Sequence, residues 1–143
     1  MSYLPPIESD AVATQVETAT AFVAGNTTNI IAVDGYKSVD FILETTTMAS
    51  VTEIQVRFLG SHAASPGAND LFEVKTETED AGTAGLYTTS TYIIKVPSLS
   101  ASNNGQKIVF SVPVKGIRMA MTVIATVGAV ANSSYQVWAL RRA

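Results

Sequence analysis

The sequence predicts an all-β fold: a single antiparallel β-sandwich, jelly-roll-like, behind an extended N-terminal arm. Three observations carry this reading. Apolar residues recur at every second position at Ile54, Val56 and Phe58, and again at Ile108, Phe110, Val112 and Val114. A strand has a two-residue side-chain period, so each set shares one face and can close a core. Gly, Asn, Pro and Ser turns cut residues 10–140 into about eight or nine strand-length pieces at the short, regular spacing of a sandwich or jelly roll. No strong helical period interrupts them.

Residues 1–10 read as an arm, and 11–143 as the sandwich domain. Pro5 and Pro6 hold the chain extended and block a helix, and Leu4 and Ile7 flank them as apolar residues in need of a surface. The arm is therefore expected to contact another subunit through Leu4, Pro5, Pro6 and Ile7. A frayed terminus is the plainer alternative. From 10 to 23, Val12, Val16 and Phe22 share parity with Thr14, Thr18 and Thr20. Asp10 is a candidate helix cap for 10–17, but the Thr content favours a strand.

A turn at 25–28 leads to a short strand at 29–33. Asp34-Gly35 is then the strongest local hairpin signal. Residues 36–46 direct Val39, Phe41 and Leu43 inward and Asp40 and Glu44 outward. Residues 51–59 follow, with Glu53, Gln55 and Arg57 facing water. After a long loop at 60–70, residues 71–78 form a more polar strand. Residues 87–96 form another, with Tyr92, Ile94 and Val96 inward. Pro113 marks 107–114 as an edge or bulged strand, and Lys115-Gly116 is a tight turn. The segment 117–127 is apolar on both faces after Arg118 and belongs in the centre of a sheet. The last strand, 135–140, carries the only tryptophan, Trp138. The expected core is Phe41, Leu43, Ile54, Val56, Phe58, Tyr92, Ile94, Phe110, Val112, Val123 and Trp138.

Composition narrows the function. Of 143 residues, 47% are hydrophobic and 15% charged, well below the roughly 25% charged residues of average domains. Disorder is not expected, and the sparse charge points to surface covered by neighbours. The net charge of -3 comes with scattered basic residues, which argues against nucleic acid as a partner. The first residues lack the basic and apolar regions of a secretory signal. The longest apolar run, 119–131, falls short of the roughly 20 residues of a membrane helix, so no membrane partner is expected. Without cysteine there is no thiolate site and no disulfide framework.

The candidate chemistry is thin. His62, the only histidine, lies in a Ser/Ala/Pro/Gly loop beside Ser61 and Ser65. A catalytic triad needs an oriented base and a buried acid, and nearby Ser residues supply neither. Asp70, Glu73, Glu77, Glu79 and Asp80 cluster around Lys75, with spacing that fits no calcium loop, and read as a solvated face. Paired carboxylates in an aromatic cleft, as in glycosidases, are not in view. Trp138 is expected in the core or at an interface rather than as a sugar platform. No enzyme activity, cofactor or metal is expected.

Two segments carry a resemblance. One runs from Ser38-Val39-Asp40-Phe41 through Thr52-Glu53-Ile54-Gln55-Val56-Arg57-Phe58. The other is Lys107-Ile108-Val109-Phe110-Ser111-Val112-Pro113-Val114-Lys115-Gly116-Ile117-Arg118-Met119 with a closing hairpin to Leu140. Together they resemble small β-sandwich virion proteins of tailed bacteriophages. The resemblance covers about half the chain and implies a capsid decoration (cement) protein. It implies self-association, often as trimers, contact with the major capsid protein or other virion subunits, and location in the virion after assembly in the host cytoplasm. Others of this texture are tail, head–tail junction or fibre-tip modules that bind a carbohydrate or protein receptor. No functional residue transfers, because no motif is matched.

Overall fold

The structure, a computed structural model, describes residues 7–22, 26–47, 51, 53–79, 87–91, 93–96, 105–127 and 133–143. They form twelve strands and one 3-10 turn, Ala68–Asp70, with no α-helix among the described residues. In chain order the strands are β1 (Thr14–Ala21), β2 (Asn26–Thr27), β3 (Ile31–Ala32), β4 (Ser38–Thr47), β5 (Glu53–Ser61) and β6 (Phe72–Glu73). They continue with β7 (Lys75–Glu79), β8 (Tyr87–Thr91), β9 (Ile93–Val96), β10 (Lys107–Pro113), β11 (Arg118–Val127) and β12 (Ser134–Arg142).

Two antiparallel sheets pack face to face. Sheet A has the order β1-β12-β4-β10. Sheet B has the order β2-β11-β5-β6, with β3 also on β11 and β9 also on β5. A separate hairpin joins β7 to β8. The doubly apolar segment is central as expected: β11 lies between β5 and the short strands β2 and β3. The strand with Pro113 is an edge, paired only with β4 among the described residues. A proline is tolerated there because an outward-facing position needs no ladder N–H.

The period-two pattern sets the core. Val39, Phe41 and Leu43 of β4 and Phe110 and Val112 of β10 face Ile54, Val56 and Phe58 of β5 and Met119, Met121 and Val123 of β11, all buried. Phe41 and Phe58 meet across the sheets with ring centroids 5.7 Å apart. Phe22 and Tyr135 form a second aromatic contact at 4.6 Å. Burying one such side chain is worth roughly 1.5–3 kcal/mol. The Tyr135 hydroxyl is satisfied by the Asn26 amide at 3.1 Å, and burial pushes the phenol above its ordinary pKa.

Several expectations are corrected. Trp138 is not a core residue: Tyr135, Val137 and Ala139 face inward on β12, and Gln136, Trp138 and Leu140 face outward, half-buried. The register on β4 decides this, since Val137 pairs with Leu43 and Trp138 with Ile42. The strand favoured over a helix in residues 10–23 is present, as β1, which starts at Thr14 and pairs with β12. The segments 71–78 and 87–96 each divide into two strands that pair with different partners. Asp40 lies on the outer face of sheet A but is 6% exposed, under neighbouring polar side chains. Tyr92 lies outside the described residues, and Ile94 is placed on β9 by its backbone.

The Asp34-Gly35 turn forms but does not make a hairpin. Gly35 takes a φ of 85°, and Tyr36 N–H closes the turn on Val33 C=O at 3.1 Å. The chain then changes sheet. Val33 N–H donates to Ile117 C=O in the loop just ahead of β11, and Lys37 N–H donates to Arg142 C=O on β12 in sheet A, both at 2.9 Å. A two-residue turn reverses the chain in either case, and the distant partners decide where each flank goes. In the same way β11 and β12 lie in opposite sheets, so the expected closing hairpin is an arch. The Lys115-Gly116 turn also links the sheets. Gly116 has a φ of 78° and sits so close to Ser61 that a side chain there would overlap the Ser61 carbonyl.

Candidate interaction surface

The outer face of sheet A is built from alternate residues of four strands. Register aligns Val109 of β10, Ile42 of β4, Trp138 of β12 and Gln15 of β1 as direct cross-strand neighbours. Direct neighbours on one face lie within side-chain contact, so Val109, Ile42 and Trp138 form an apolar row. Val109 is 57% exposed. Ala13, Ile42, Glu44, Lys107 and Trp138 line a hollow of about 260 Å³ along this row.

Polar rows flank it. On one side Lys107 pairs with Glu44 at 3.8 Å, and Gln15 donates to Gln136 at 3.1 Å. On the other, the Asp40 carboxylate accepts from Ser111 Oγ and from Arg142 Nε, both at 2.7 Å. A hollow of about 390 Å³ opens at the end of β10 between Lys37, Ser38, Ser111, Val112 and Pro113.

Next to this face the two ends of the chain are locked together. The Arg141 guanidinium grips Asp10 through Nε to Oδ2 at 2.9 Å and Nη2 to Oδ1 at 3.0 Å. The backbones are joined as well: Asp10 N–H donates to Arg141 C=O, and Arg141 N–H donates to the Asp10 carboxylate, both at 2.8 Å. Arg141 also donates to Ala32 C=O at 3.2 Å and lies 4.6 Å from the centre of the Tyr36 ring, within cation–π range. The hydrogen bonds from Arg141 hold the Asp10 carboxyl below the usual carboxylate range against an opposing push from burial. Arg141 is correspondingly raised. Bidentate pairs of this kind are the strong class of charge-assisted hydrogen bond.

Of the four residues expected to form the arm contact, Leu4, Pro5 and Pro6 lie outside the described residues. Ile7 is 46% exposed and rests on its own chain, where a side chain at Gly35 would overlap its Cδ1. Ala143 N–H donates to Ser9 Oγ at 2.9 Å. Residues 7–10 are therefore fixed to the sandwich. The sequence could not announce this, because Asp10 and Arg141 lie at opposite ends of the chain.

The remaining candidates do not converge. His62 is exposed and stacks on Phe72 with centroids 5.3 Å apart. Ser61 is buried, and its Oγ accepts from Ala63 N–H at 3.0 Å. Asp70 caps the local turn by accepting from Gly67 N–H at 2.8 Å. Glu73 pairs with Arg57 at 3.1 Å. Glu77 and Glu79 are placed on β7 by their backbone, and Asp80 lies outside the described residues. Among the described residues no three His, Asp or Glu side chains are grouped so as to hold a metal ion.

Fold and surface together define an antiparallel β-sandwich protein with an apolar row across one sheet. No protein-family model matches the chain, and no curated protein matches it either.

Proposed function

We propose that this chain is a non-enzymatic structural protein of a tailed-phage particle, a capsid decoration protein that lies on shell subunits through the outer face of sheet A. The observation that carries the reading is the row Val109–Ile42–Trp138, apolar and in register across three strands. It is bordered by side chains already engaged with one another. Such a face offers shape and apolar area to a partner and leaves few polar groups to desolvate without compensation. The resemblance of residues 38–58 and 107–140 to virion sandwiches supports the same reading.

The mechanism is multiplicity: each copy binds weakly, and neighbouring copies on a closed shell gain avidity. The proposed strap on a neighbouring subunit comprises Leu4, Pro5 and Pro6, which precede the fixed segment at Ile7.

A second reading has its own support. An aromatic side chain beside the Glu44 and Lys107 charges, in the hollow at Trp138, suits a saccharide ligand of a tail or fibre-tip module. Protein quantification of purified particles separates the two. Decoration predicts on the order of hundreds of copies per particle, whereas a tip module predicts only a handful. Absence from purified particles overturns both.

A further inference from the structure

We infer that β10 pairs with β10 of a second copy of this chain, antiparallel about a two-fold axis at Val109. The proposal rests on the strand edge alone and is independent of the particle reading.

β10, with 7 residues, is the longest regular open edge among the described strands; β7 and β8 of the separate hairpin have 5 residues each. Sheet B ends in short pieces: β2, β3 and β6 have 2 residues each and β9 has 4. The opposite edge of sheet A, β1, departs twice from regular register against β12. Short and bulged edges resist pairing with other chains. β10 instead keeps register with β4 without a break from Lys107 to Pro113.

The backbone polarity of that edge is fixed. Thr45 N–H donates to Gln106 C=O, and Val114 N–H donates to Lys37 C=O, both at 2.9 Å. Antiparallel bonding alternates along a strand, so residues 106, 108, 110, 112 and 114 spend their backbone groups on β4. Lys107, Val109, Ser111 and Pro113 turn theirs to the open side. A second β10 can therefore pair only through these alternate residues.

One register satisfies them best. With Val109 opposite Val109 of the second copy, Lys107 faces the second copy's Ser111, and the reverse. About six ladder hydrogen bonds form, two at each bonded pair. The Lys107 ammonium then lies beside the second copy's Asp40, which holds Ser111 at 2.7 Å. The apolar row continues as Trp138–Ile42–Val109 of one copy into Val109–Ile42–Trp138 of the other. Sliding two residues one way sets Lys107 against Val109 in that row. Sliding the other way places Pro113, which has no N–H, at a bonded position. The contact is isologous, so it closes as a dimer and does not propagate.

The test is sedimentation equilibrium on the purified full chain with charge-swap variants at the axis. The wild type is expected at twice the 15.1 kDa chain mass. Val109→Lys and Val109→Glu each place like charges face to face and should sediment as monomers. Mixed 1:1, they should recover the dimer mass. Val109→Pro is a second monomeric variant, since it removes only an outward N–H and preserves the β4 ladder. A wild type that stays at 15.1 kDa up to millimolar concentration overturns the proposal. So does a Val109→Lys or Val109→Pro variant that still dimerises, or a charge-swapped mixture that stays monomeric.

Discussion

The two outer strands of sheet A have the same job and opposite construction. β1 holds Val16 in the core, but its register on β12 skips between Gln15 and Glu17 and again between Glu17 and Thr20. Its start is anchored by the Asp10–Arg141 clamp. β10 has no skip, presents Val109 to solvent, and ends at a proline. Both strands bury apolar residues on the inner side, so folding alone does not demand the difference. An irregular edge shuts off further pairing, and a regular one with an apolar centre leaves it open. The molecule is thus closed on the side where its chain ends meet and open on the other.

Breaking the core should abolish the comparison altogether. Phe58→Ala removes a buried ring that packs on Phe41 of β4, the strand that carries β10. It should cost about 3–5 kcal/mol, seen as a lowered urea midpoint with an unchanged slope. A loss below about 1 kcal/mol would show that the Phe41–Phe58 contact is not central to the fold.

Removing the clamp should loosen one edge only. Arg141→Ala leaves the Asp10 carboxylate without its partner and should cost roughly 1–2 kcal/mol, reduced from the range for charged hydrogen bonds by the partial exposure of the pair. β1 amides should exchange faster while β10 amides are unchanged. The clamp also has a pH signature. The Asp10 carboxyl is held below its unfolded value. Its contribution is therefore complete above the unfolded pKa and is lost as pH falls through the lower folded value. Asp10→Asn should flatten the acid limb of the stability profile, and an identical limb in wild type and variant would refute the assignment.

The smallest effect is expected at the residue with the most familiar chemistry. His62→Ala should change stability by no more than about 0.5 kcal/mol, because the ring is exposed and touches the sandwich through Phe72. A larger loss in thermal melts would give this loop a structural role that its contacts do not display.

Much of this comparison was legible in the sequence. Ile54, Val56 and Phe58, like Phe110 and Val112, declare their inward face by parity, and Pro113 marks an edge. The apolar residues on both sides of β11 mark a centre. Parity says which side of a strand faces in, but not which sheet the strand joins. Asp34-Gly35 and the β11–β12 connection therefore read as hairpins and proved to be arches. Trp138 shares its face with Gln136 and Leu140, whereas Tyr135, Val137 and Ala139 form the apolar set of that strand and take the core. The Asp10–Arg141 clamp and the burial of Asp40 under Arg142 depend on residues more than a hundred positions apart. No local pattern encodes them.

The most direct test of the contrast between the two edges is amide hydrogen exchange, residue by residue, at low and high protein concentration. The account predicts that Lys107, Val109 and Ser111 exchange freely when dilute and become protected as concentration rises, while the outward amides of β1 stay unprotected throughout. Outward β10 amides that exchange equally fast at both concentrations would contradict it.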